Sequence, residues 1–150
     1  MKFISTDGIL DFAIGKEEEA AALYRDLAEK AVSPGLKNSL LEFAAEEDRH
    51  KQRLLAIKAG DLEPLSVERV RSLYISDYMV DVAPSTEMSY AQALQLAMKA
   101  EQAAYQLYSD LAGACEDPGL AALFTALARE EQRHKALFER EYEDQRLEGV

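Results

Sequence analysis

With 150 residues, 48% of them hydrophobic and 30% charged, the chain has the length and composition of one globular domain able to bury a core. Its net charge of −11 excludes a basic nucleic-acid surface, and no apolar run approaches the roughly 20 residues of a membrane helix. A lone cysteine, Cys115, excludes a disulfide framework and an all-cysteine metal site, and with no basic-then-apolar leader the expected location is the cytoplasm.

The first predicted helix runs from about Asp7 to Ala31, with Thr6 or Asp7 as N-cap. Ser33 caps a second, whose Pro34 sits in the first turn, where a missing N–H costs nothing. This helix continues to about Ala59 and stops at Gly60. Residues 60–88 hold two of the four prolines and read as a crossover, with a candidate short helix at Ser66–Leu73. Leu73, Tyr74, Ile75, Tyr78, Met79 and Val80 are read as packing residues over one bundle face, as a lid or a dimer contact. A third long helix opens at Ser89, where Ser89-Tyr90-Ala91-Gln92 has the capping-box pattern, and ends near Ala114. Asp117-Pro118 starts a fourth, running to about Asp144.

The two helix pairs are one unit written twice. Glu47-Asp48-Arg49-His50 returns 84 residues later as Glu131-Gln132-Arg133-His134, and Glu17 returns as Glu101. Residues 13–51 laid on 97–135 give 17 identities in 39 positions without a gap, among them Tyr24/Tyr108 and Pro34-Gly35-Leu36/Pro118-Gly119-Leu120. A helix–turn–helix unit cannot bury its apolar stripe alone, and two copies are too few for a solenoid, so they close on each other. A 25-residue helix is about 37 Å long, so bringing all four Glu-bearing stripes together demands a long crossover between the second and third helices. The expected fold is an all-α, ferritin-like four-helix bundle, a single domain over residues 1–150, with repeat halves 7–59 and 89–144 and the crossover at 60–88.

Helical spacing places Glu47 and His50 on one stripe with Leu36, Leu40, Phe43, Leu54 and Ile57. Glu131 and His134 share one with Leu120, Phe124, Leu127, Phe138 and Tyr142. Glu17 lies with Ala13, Ala20, Tyr24 and Leu27, and Glu101 with Ala97, Ala104, Tyr108 and Leu111. Glu18, Glu19, Asp48 and Gln132 fall off these stripes and are expected in solvent. Four unpaired carboxylates in apolar stripes would be costly and would repel one another, and bound cations remove both difficulties. The competing reading is a buried Glu–His–Tyr hydrogen-bond network without metal. The ligand inventory is that of a two-metal carboxylate site. Carboxylate and imidazole donors suit iron or manganese, and fit a closed structural zinc site poorly.

Glu17 with Tyr24 seven residues on, Glu47-x-x-His50, Glu101 with Tyr108 seven on, and Glu131-x-x-His134 resemble the erythrin-type, ferritin-like half of the rubrerythrin family over essentially the whole chain. The resemblance implies two iron ions, with manganese or zinc as substitutes. Glu47 and Glu131 would bridge, Glu17 and Glu101 would be terminal, and His50 and His134 would take one iron each. Glu47, Glu131, Tyr24 and Tyr108 are the expected catalytic set. Two departures stand out. Typical rubrerythrins place a second glutamate where this chain has Ala104, whose repeat mate is Ala20, and the usual four-cysteine rubredoxin domain has no counterpart among these residues.

The implied activity is reduction of hydrogen peroxide, or of dioxygen, with electrons from a separate donor protein, in a homodimer and with no nucleic-acid or membrane partner. A ferroxidase-type iron-handling or sequestration protein and a non-enzymatic metal-binding bundle are the alternatives. No fifth short helix is expected, which argues against a ferritin-type storage cage. Tyr24 and Tyr108 are open to two readings, a hydrogen bond to a carboxylate or plain packing. For Glu46 and Glu130 a surface role is preferred over accepting the imidazole N–H of the other half's histidine. Cys115 is read as a small filler.

Overall fold

Ser5 opens the first helix, its hydroxyl accepting from Gly8 N at 2.9 Å; the expected caps Thr6 and Asp7 lie one and two positions inside. The computed structural model describes residues 1–60, 66–80 and 88–148. Among them are α1 (Thr6–Lys30), α2 (Pro34–Ala59), α3 (Val67–Arg71), α4 (Tyr90–Ala114) and α5 (Pro118–Glu148), with a 3-10 turn at Ile75–Tyr78.

The turn chemistry sets these boundaries. Ser33 accepts from Leu36 N at 3.2 Å above Pro34, and Asp117 accepts from Leu120 N at 2.8 Å above Pro118, so both repeat halves start their second helix alike. Ser89 and Gln92 form the full reciprocal capping box on α4. Gly60 ends α2 in extended backbone (φ −93°, ψ −154°) instead of the left-handed cap that glycine often supplies. The fourth long helix extends to Glu148, beyond the expected Asp144.

The described residues form an all-α four-helix bundle with a crossover between its halves. Within each half the helices pair as a hairpin, α1 on α2 and α4 on α5, and the halves meet chiefly through α1 on α4. The apolar stripes face inward, and Tyr24, Leu27, Leu40, Leu54, Leu111, Phe124, Leu127 and Phe138 have no exposed surface.

The crossover is fastened to this core. Tyr78 is buried, and its hydroxyl donates to Asp110 Oδ2 at 2.5 Å. Leu73, Ile75 and Val80 are partly buried against the core. Tyr74 and Met79, expected to pack, flank the two ends of the 3-10 turn and are about half exposed. The turn is held from the other side by the N-terminal strand-like segment, where Ile75 N donates to Met1 O at 2.8 Å and Phe3 N to Leu73 O at 3.2 Å.

Candidate metal centre

Each of the four long helices carries one glutamate to the same level of the bundle. Glu17, Glu47, Glu101 and Glu131 are 1–2% exposed, and His50 and His134 are equally buried. Two groups of facing atoms result. Glu17, Glu47, His50 and Glu131 each offer a donor atom within 4.8 Å of the others, as do Glu47, Glu101, Glu131 and His134. Glu47 and Glu131 belong to both groups.

The two groups are near-copies. His50 Nδ1 lies 2.8 Å from Glu131 Oε1 and 3.6 Å from Glu17 Oε1, while His134 Nδ1 lies 2.9 Å from Glu47 Oε1 and 3.6 Å from Glu101 Oε1. These close approaches lack hydrogen-bond alignment. Both Nδ1 atoms, Glu17 Oε2, Glu47 Oε1, Glu101 Oε2 and both oxygens of Glu131 are buried without a hydrogen-bond partner. Orphaned buried polar atoms are costly and uncommon, and here seven of them face one another.

The outer nitrogens explain the orientation of the rings. His50 Nε2 is hydrogen-bonded to Glu130, and His134 Nε2 to Glu46 Oε2 at 2.5 Å. A carboxylate only accepts, so Nε2 carries a proton and Nδ1 is the ring atom turned toward the cluster, where a cation would meet its lone pair on displacing any second proton. The preferred surface reading of Glu46 and Glu130 is thereby corrected. Each reaches across the bundle to the other half's histidine, a partnership that fixes tautomer and ring direction. The sequence signal was their position immediately before Glu47 and Glu131 in both copies. Glu46 is also held by Arg133 at 2.8 Å, a contact the sequence reading missed. Burial raises the Glu46 carboxyl, but His134 and Arg133 outweigh it and bring its pKa below the usual value.

The halves then diverge. Tyr108 donates its hydroxyl to Glu17, whereas the buried Tyr24 hydroxyl has no partner, so the carboxylate reading holds for the first tyrosine and the packing reading for the second. Phe43 stacks on His134 with ring centres 4.0 Å apart, and its repeat mate is the aliphatic Leu127. Glu18 and Glu19 are exposed and ion-paired to Lys51 and Lys16, and Asp48 is paired to Arg25.

Charge in the cluster is unbalanced. Burial, then Glu131 and Glu17, push Glu47 well above the carboxylate range; burial, then Glu131, does the same to Glu101. Burial lifts Glu131 too, yet Glu101 and His50 outweigh it and bring it down to about 2. Burial lowers His50, but the carboxylates of Glu131 and Glu17 raise it to about 10. Protons thus substitute for the positive charge that four buried carboxylates require.

The rubrerythrin family profile matches residues 8–142. The chain belongs to the rubrerythrin family. A crystal structure from Thermotoga maritima, described as that of a ferritin-like diiron-carboxylate protein, aligns at a TM-score of 0.77 over 97% of this chain and 99% of that one. At 19% identity that likeness shows the fold alone. No curated protein matches the sequence. Among the described residues of this rubrerythrin-family chain, no helix is long and apolar enough to cross a membrane.

Proposed function

We propose that this chain is a non-haem di-iron oxidoreductase that reduces peroxide with electrons from a separate donor protein. The observation that carries the reading is the pair of four-residue groups sharing Glu47 and Glu131. Their orphaned oxygens and Nδ1 lone pairs are what divalent cations would satisfy. Glu17 and His50 would hold one ion, Glu101 and His134 the other, and Glu47 and Glu131 would reach both. Oxygen and imidazole donors without thiolate suit iron or manganese. A pair of ferrous ions supplies the two electrons that splitting an O–O bond requires.

The protein's own contribution is positional. Glu46 and Glu130 keep both imidazoles turned inward, Tyr108 steadies Glu17, and the stacked Phe43 restrains His134. The histidines and their carboxylate partners occupy the α2/α5 side, leaving the α1/α4 side for the approach of a small oxidant. A homodimer belongs to the same reading.

Anaerobic loading with Fe(II), followed by stopped-flow mixing with hydrogen peroxide or dioxygen, tests it. Oxidation at least about tenfold faster with peroxide, a barrier difference of about 1.4 kcal/mol, supports the proposal. Comparable or reversed rates, with iron retained as mineral, transfer the assignment to ferroxidase-type iron handling.

A further inference from the structure

A cavity of about 110 Å³ lies between α1 and α4, roofed by Tyr78 and Val80 of the crossover, and its floor is formed by the carboxylates of Glu17, Glu47, Glu101 and Glu131. Neither histidine lines it. A water needs only about 10–15 Å³ on this measure, and an apolar cavity of about 150 Å³ accepts benzene. By that scale the space suits about four or five non-hydrogen atoms, more than the two of hydrogen peroxide.

Its walls are largely apolar, with the ion-paired Lys16 and Glu19 and the Tyr108 ring as the polar members outside the floor. Ala20, Ala100, Ala103 and Ala104 line it together with Leu23 and Leu107. Carboxylate oxygens of its floor residues, among them Glu17 Oε2, Glu101 Oε2 and both of Glu131, are buried without a partner. Val80 and Ala103 also wall a shallow outer depression with Lys99, Gln102 and Gln106.

We infer that this chamber takes the alkyl group of a small organic hydroperoxide, with its O–OH end presented to the carboxylates. The inference rests on the di-iron reading above. The reaction would be ROOH + 2 e⁻ + 2 H⁺ → ROH + H₂O. The O–O bond breaks, one oxygen leaves as the alcohol and the other as water, and the protons come from solvent. The electrons come from two ferrous ions, which become ferric and are restored by a one-electron donor protein. Alkyl burial against alanine and leucine favours this class over hydrogen peroxide, which has no apolar part to bury.

The test uses the full chain with tert-butyl hydroperoxide as substrate and tert-butanol, its redox-inert alcohol product, as the binding probe. In metal-free protein with labelled alanine methyls, tert-butanol is expected to give saturable shifts confined to Ala20, Ala100, Ala103 and Ala104. In iron-loaded protein, the ratio of rates with tert-butyl hydroperoxide and hydrogen peroxide is expected to exceed one and to fall at least about tenfold in Ala104→Leu, which fills the chamber. Ala20→Val is expected to act in the same direction, and Glu18→Ala to leave the ratio unchanged. Absence of saturable shifts in the wild-type chain overturns the inference whatever the variants do, as does a ratio indifferent to Ala104→Leu in a folded variant. If hydrogen peroxide oxidises the bound iron while tert-butanol shifts nothing, only this inference fails. If no iron pair binds, both readings fall.

Discussion

His50 Nδ1 lies 2.8 Å from Oε1 of Glu131, a residue of the opposite repeat half. The reciprocal approach, His134 to Glu47, is 2.9 Å. Each half thus supplies the histidine that faces the other half's shared glutamate, and neither hairpin alone presents a complete group. The duplication yields a centre only when the two copies close on each other.

Removing a shared carboxylate should therefore damage both groups at once. Glu131→Ala is expected to eliminate the paired-iron absorption spectrum and weaken binding of the second iron at least about 100-fold, more than loss of an outer partner would. Iron titration followed spectroscopically checks this, and an intact di-iron signal would remove Glu131 from its bridging place. Glu18→Ala, an exposed residue, is expected to leave the titration unchanged.

Loss of a ring-orienting carboxylate should be milder. Glu46→Ala frees His134 Nε2 and the Arg133 contact together, and is expected to lower metal affinity about 10–100-fold with the fold intact. Competition against a chelator of known affinity measures it. An unchanged affinity would return Glu46 to the surface role.

The two tyrosines should separate cleanly. Tyr108→Phe deprives the buried Glu17 of its donor and is expected to cost about 1–3 kcal/mol in metal-free protein. Tyr24→Phe removes a hydroxyl with no partner and is expected to cost less than about 0.5 kcal/mol or to stabilise. Urea denaturation of both variants decides between this asymmetry and an equivalent role for the pair.

Metal-free protein should lose stability as pH rises. Glu47 and Glu101 have folded pKa values raised above the unfolded 4.5, so their contribution is complete below that pH and drains away above it. His50, raised from 6.5 to about 10, adds a loss of the same sign between those values. Glu131, lowered to about 2, acts only below pH 4.5 and leaves this window untouched. Each proton held more tightly by the folded state contributes a slope of about 1.4 kcal/mol per pH unit. Denaturation midpoints at pH 5.5, 7 and 8.5 are expected to fall in that order, whereas metal affinity should rise, because binding displaces these protons. A flat profile in the metal-free protein would contradict the charge imbalance of the cluster.

The helices, the repeat and the inward direction of Glu17, Glu47, His50, Glu101, Glu131 and His134 were legible from residue order, because which face of a helix a side chain occupies is a local property of its 3.6-residue turn. Capping was legible where side chain and spacing agreed, as at Ser89–Gln92, and was misplaced at Ser5, where three polar candidates stand in a row. Tertiary structure alone decided what each inward group meets: the crossing of His50 to Glu131, the reach of Glu46 and Glu130 to imidazoles of the other half, the Tyr108 donor for Glu17 but no partner for the Tyr24 hydroxyl, and the chamber over the carboxylates. Those depend on the offset and rotation of one helix against another by a few ångströms, distances that no single helix encodes.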